Sequence, residues 1–153
     1  MIQHVWTVFC SSSAIDRDTN QVSLFDLVER IGVEGVGPAP PGQKAIIPAR
    51  FQLVTLWTRG DANEGETGAT RMRLLAPNGE ELLKSEGDVN LREHQSRRVR
   101  INIGGLPFVE NGRYHFRVEL RDGDGWRVVG DVPVQIDVRL QVEREPAEEA
   151  AAG

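Results

Sequence analysis

The sequence predicts an all-β fold, an antiparallel β-sandwich of immunoglobulin-like or C2-like type with about eight or nine strands. Three observations predict it. Between Gly112 and Arg121, Tyr114, Phe116, Val118 and Leu120 share one side, with Arg113, His115, Arg117, Glu119 and Arg121 on the other. The stretch from Val132 repeats the pattern, with Val132, Val134, Ile136, Val138, Leu140 and Val142 opposite Gln135, Asp137, Arg139, Gln141 and Glu143. Asp122-Gly123-Asp124-Gly125 lies between them and supplies hairpin turn chemistry. A period of two marks a half-buried strand.

The 153 residues suit one domain, read as 1–145, followed by a disordered acidic, Ala-rich tail over 146–153. A chain of this length buries enough surface to hold a core without metal or disulfide. Net charge is −5, and Glu143, Glu145, Glu148 and Glu149 against Arg144 account for −3 of it. The near-neutral remainder argues against nucleic-acid binding. Cys10 is the only cysteine, so an intramolecular disulfide is excluded. A lone thiol fits a reducing compartment. The first residues lack the basic start of an export signal, and Phe9 is too bulky for a lipoprotein cleavage site before Cys10. No stretch approaches the ~20 apolar residues of a membrane helix. The expectation is a soluble cytoplasmic protein with no membrane partner.

The elements follow in order. Ile2–Cys10 reads as a strand with Trp6, Val8 and Cys10 on one side and Val5 and Phe9 on the other. Apolar residues on both sides predict a sheltered position. Ser11–Asn20 reads as a polar turn. Val22–Val33 fits two periods: Leu24, Leu27, Val28 and Ile31 suit a helix, while the missing cap and the β surroundings favour a strand. Gly35–Gln43 is a Pro- and Gly-rich loop. Phe51–Thr58 is a strand, Gly60–Gly68 an acidic mobile loop, and Thr70–Leu75 a strand. Pro77-Asn78-Gly79 turns into Glu80–Lys84, Val89–Ser96 is weakly patterned, and Arg98–Ile103 is a strand. Gly104–Pro107 and Glu110–Gly112 turn the chain into the final hairpin.

Ser-Leu-Phe-Asp-Leu-Val-Glu-Arg-Ile at 23–31, Arg-Leu-Leu-Ala-Pro-Asn-Gly-Glu-Glu-Leu at 73–82, and Gly-Leu-Pro-Phe-Val-Glu-Asn-Gly-Arg-Tyr-His-Phe-Arg-Val at 105–118 stand out as segments. They are similar to a family of short bacterial proteins known as a domain of unknown function. The resemblance runs from about Val5 to Val138. It implies an all-β fold with a strand at 22–31, and it brings no catalytic residues.

Candidate chemistry is sparse. Asp16, Asp18 and Asn20 open like a calcium loop, but Gln21 and Leu27 stand where Gly and Glu are required, leaving an Asx turn. Asp122 and Asp124 offer too few oxygens for a cation site. His4, His94 and His115 lack metal-ligand spacing. Ser11–Ser13 lack a nucleophile elbow, and Cys10 reads as a small core residue. Gly32, Gly35 and Gly37 lack the lysine of a phosphate loop. No cofactor or metal is expected. Trp6, Trp57 and Trp126 read as core, with Trp126 the most exposed and the one candidate for ligand stacking.

The strongest feature is arginine placement. Arg71, Arg73, Arg98, Arg100, Arg113, Arg117 and Arg121 lie on the polar faces of three strands. If those strands are neighbours, one sheet face is basic. It then either pairs with glutamates across strands or docks an acidic partner, including the tail of another copy. The expectation is a non-catalytic protein-binding or assembly module. The alternatives are a carbohydrate- or small-ligand-binding sandwich and a hydrolase with loop-borne acids. A long terminal strand also makes edge-to-edge pairing conceivable.

Overall fold

The structure is a computed structural model and describes residues 1–34 and 44–139. It contains no helix among them and eleven strands: β1 (Gln3–Ile15), β2 (Val22–Leu27), β3 (Arg30–Glu34), β4 (Ala45–Ile47), β5 (Phe51–Thr58), β6 (Glu66–Leu75), β7 (Glu81–Leu91), β8 (Ser96–Ile103), β9 (Leu106–Phe108), β10 (Gly112–Asp122) and β11 (Gly125–Arg139). A first sheet runs β2-β1-β5-β8 and a second β3-β11-β10-β6-β7, with a small β4-β9 pair beside them. Every pairing is antiparallel except β3 alongside β11.

The alternating hairpin forms as the sequence predicts. Tyr114 pairs with Val134 and Phe116 with Val132, and both strands turn one apolar side inward. Gly123 closes the turn at φ 62°, a left-handed conformation that glycine adopts without strain. The inward faces of the two sheets meet in the core. Phe9, Leu53 and Trp57 come from the first sheet, and Leu74, Tyr114, Phe116, Leu120, Val134 and Ile136 from the second. The Phe9 ring bridges the layers, 5.0 Å from Phe51 and 4.6 Å from Phe116. Burying each such side chain stabilises by about 1.5–3 kcal/mol. The Tyr114 hydroxyl donates to Glu110 O at 2.7 Å and accepts from the N–H of Val109 and Glu110, pinning the approach to β10.

The ambiguous stretch at 22–33 is two strands, and the reason explains the mixed signal. At Val28–Glu29 the chain leaves the first sheet for the second. The Val28 N–H still donates to Phe9 O at 2.8 Å, while Glu29 O accepts from the Gln135 N–H at 3.0 Å. Leu24 and Leu27 therefore belong to one sheet and Ile31 to the other, so their spacing reflects a crossing rather than a helical turn.

Other boundaries shift for local reasons. β1 continues through the serines to Ile15, leaving only Asp16–Asn20 as the turn. β7 reaches Leu91, because Val89 and Leu91 alternate into the core between polar edge residues. β4 and β9 are three residues each, too short to show a period, and β9 occupies part of a stretch read as a turn. β6 begins at Glu66, and the preceding loop is tied down. The Arg59 guanidinium donates to Leu91 O at 2.8 Å, Arg92 O at 2.7 Å and Ala62 O at 3.2 Å. Gly35–Gln43, Leu140, Val142 and the tail lie outside the described residues.

Candidate functional site

The seven arginines do not form one face, because their three strands are not all neighbours. β6 and β10 pair directly, so Arg71, Arg73, Arg113, Arg117 and Arg121 lie on the outer surface of the second sheet. Arg98 and Arg100 lie on β8, at the edge of the first sheet.

On the second sheet the arginines are organised by a residue that the sequence reading passed over. Glu119 faces outward on β10, yet it is only 4% exposed. The register shifts between Val118 and Glu119, and Arg71 pairs opposite its carboxylate. Arg71 Nε donates to Glu119 Oε2, Arg73 Nη1 reaches Oε1 at 3.4 Å, and Arg73 Nε donates to Glu81 at 2.7 Å. Burial pushes the Glu119 carboxyl up, but the hydrogen bonds and charges of Arg71 and Arg73 outweigh it and hold the group below its ordinary range. The bond to Glu81 raises Arg73 further. A lone glutamate in a row of arginines with period two was the available signal.

Trp126 is half-buried rather than exposed. The Arg71 guanidinium lies over its ring at 4.5 Å from the centroid, with Arg121 at 5.8 Å. A shallow cleft of about 260 Å³ beside it is bordered by Arg121, Glu86 and Asp88. Arg113 lines a separate open groove of about 830 Å³ with Thr7, Leu27, Arg30 and Gln135, where the chain crosses between sheets.

On the first sheet the arginines hold a hairpin. Arg98 Nη2 donates to Asn20 O at 2.8 Å and Asn20 Oδ1 at 3.0 Å. Arg100 Nη1 contacts Ser13 Oγ at 3.4 Å, and Ser13 Oγ donates to Gln52 Oε1 at 2.6 Å. β8 is two strands away from β1, and Arg98 pairs with Leu56 opposite Trp6, far up the ladder from Asn20. The contacts therefore require the outer half of β1 and β2 to fold back over the outer surface of the first sheet. Cys10 and Val54 agree with this. Alternation places both on that outer surface, outside the core between the sheets, and both are 0% exposed. Cys10 is thus buried as expected but in a different layer. Burial raises its thiol pKa, with a backbone bond from Ser12 opposing.

The tip of this arm is the Asx turn. Asp16 Oδ1 accepts from the N–H of Asp18 at 2.8 Å and Thr19 at 2.9 Å, and these backbone bonds, Thr19 first, lower its carboxyl pKa. The flank of the arm is apolar: Phe25 is 48% exposed and Leu27 62%. β2 also ends its sheet, with β1 as its only neighbour among the described residues.

His4 lies inside the seam between β1 and β11. Its Nε2 is 2.6 Å from Thr7 Oγ1, its ring meets Trp57 edge-on, and burial lowers its pKa against a backbone bond from Trp6. Among the described residues no three His, Cys, Asp or Glu side chains converge as metal ligands. No helix among them is long and apolar enough to cross a membrane.

A family model described as a family of unknown function, DUF6941, matches residues 43–150. No curated protein matches the chain. A family 123 glycoside hydrolase from Clostridium perfringens, whose study concerned glycolipid glycan hydrolysis, is a structural neighbour at 10% identity and a TM-score of 0.39. The match covers 78% of this chain and only 24% of that enzyme, and at this score it carries no argument about activity.

Proposed function

We propose, on the premise that the chain belongs to the DUF6941 family of unknown function, that it is a non-catalytic protein-binding or assembly module of the cytoplasm. The observation that supports this reading is the β1–β2 arm. Its outer strand has no neighbour on one edge among the described residues, and it carries exposed Phe25 and Leu27. An edge of unpaired N–H and C=O groups is a template for another extended chain, and flanking apolar side chains add burial to the backbone bonds. A sugar-stacking role for Trp126 is less well supported, because Arg71 already covers its ring.

The test is affinity capture from the native cell with the wild-type chain and with a Phe25→Lys, Leu27→Lys variant. Thermal unfolding of both first establishes that the variant is folded, as its exposed positions predict. Proteins recovered with the wild type and lost with the variant, a second copy of the chain included, support the reading. Identical recovery from both overturns it.

A further inference from the structure

We infer that the partner of the β2 edge is the β2 edge of a second copy, paired antiparallel about a two-fold axis. The inference rests on the proposed binding role of the arm and specifies its occupant. The argument comes from comparing the sheet edges. Edge strands are normally blunted by charge, proline or brevity, because an open edge invites pairing. β7 carries Glu81, Lys84, Glu86 and Asp88, and β8 carries Arg97, Arg98 and Arg100. β3 has Arg30 and Glu34 in five residues, and β4 and β9 have three residues each. The part of β11 that β3 leaves unpaired lies along β1, with His4 and Thr7 against Gly130, and it is protected a second way. Gln135 donates its N–H towards the β3 side, so the nitrogen of Pro133, two residues earlier, faces the same way and has no proton to give.

β2 departs from this pattern. Val22-Ser23-Leu24-Phe25-Asp26-Leu27 holds a single charge. That charge, Asp26, sits at φ 52°, so the regular ladder offered to a partner is Val22–Phe25. This short stretch is uncharged, so two copies of it meet without like-charge repulsion. An antiparallel pair about a two-fold axis at Leu24 places no like charges opposite one another within it, sets the two Leu24 residues face to face and leaves the two Phe25 residues as diagonal neighbours on the other face. A copy bringing β7 or β8 instead would bring its charged row to an apolar flank. Arg98 and Arg100 hold the arm against the outer surface of the first sheet, and the outer edge of β2 stays without a neighbour among the described residues, open to the edge of a second copy.

Sedimentation of the purified full chain across a concentration series tests this. The expected result is a monomer–dimer equilibrium with slowed amide exchange at Val22–Phe25 in the dimer. Phe25→Lys and Phe25→Glu are each expected to weaken dimerisation by about tenfold or more, since the two-fold axis brings like charges together. An equal mixture of the two variants is expected to recover the dimer, because lysine then meets glutamate. A chain that stays monomeric at every concentration overturns self-pairing, as does a dimer indifferent to Phe25 or a mixture that fails to recover. If the chain is monomeric while another protein is lost from the arm variant in the capture experiment, self-pairing is removed and the binding role of the arm stands.

Discussion

The outer faces of the two sheets use arginine in opposite ways. On the second sheet, Arg71 and Arg73 converge on a carboxylate that is almost fully buried. On the first, Arg98 and Arg100 reach neutral acceptors, Asn20 and Ser13, and hold down a hairpin. Both sets stand on the polar side of an alternating strand. The difference lies in what sits across the ladder: a glutamate on β10 in one case, a folded-back arm in the other. The first arrangement is a charge cluster whose loss strands ions in a poorly hydrated layer. The second is a latch of hydrogen bonds at the surface, whose loss frees one element and leaves the core alone.

The largest effect is expected at the cluster. Glu119→Ala leaves Arg71 and Arg73 facing each other without their shared counter-charge, and is expected to cost about 2–3 kcal/mol in urea unfolding. The pH dependence follows from the direction of the shift. Glu119 titrates below its ordinary value of 4.5 in the folded chain. Its contribution is therefore present above pH 4.5 and is lost as pH falls through the lowered folded value. The wild type should lose stability more steeply than Glu119→Gln on acidification below pH 4.5. Parallel acid profiles for the two proteins would break the contrast drawn between the faces.

An intermediate effect is expected at the latch. Arg98→Ala removes two bonds to Asn20 and is expected to change global stability by about 1 kcal/mol or less, because the donors and acceptors regain water. Local opening should show it most clearly, with amide exchange in β2 and in β1 beyond Cys10 accelerated up to about fivefold while β10 is little changed. Uniform acceleration through both sheets would mean that the arm is part of the global folding unit.

Much of this architecture is legible from alternation alone. The β10–β11 hairpin and the strand at Phe51–Thr58 follow from period two, and the Asx turn follows from its residue types. The crossing at Val28–Glu29 was not legible, because one continuous apolar pattern serves two sheets and mimics a helix. The arm was hidden for a related reason. Trp6, Val8 and Cys10 opposite Phe9 do signal a strand sheltered on both faces, but nothing local says that the shelter is the strand's own continuation folded back. Glu119 was overlooked because its setting depends on Arg71 and Arg73 from a neighbouring strand, which the period of β10 does not reveal. The grouping of the arginines required strand order, which periodicity does not encode.

The smallest effect expected separates two roles for Trp126. If the ring is a lid on Arg71, its removal costs stability: Trp126→Ala should destabilise by about 1 kcal/mol through lost packing and cation–π contact. Arg121→Ala, with its guanidinium 5.8 Å from the ring and no carboxylate partner among the described residues, should stay within about 0.5 kcal/mol. A ring kept for ligand stacking would behave otherwise, since an apolar surface held ready for a ligand contributes little to the empty fold. A neutral Trp126→Ala would therefore reopen the ligand reading and weaken the view that the second sheet's outer face is a self-contained charge cluster. A cost near that of the buried pair would instead place the ring inside the cluster, as the cover that keeps water from Glu119.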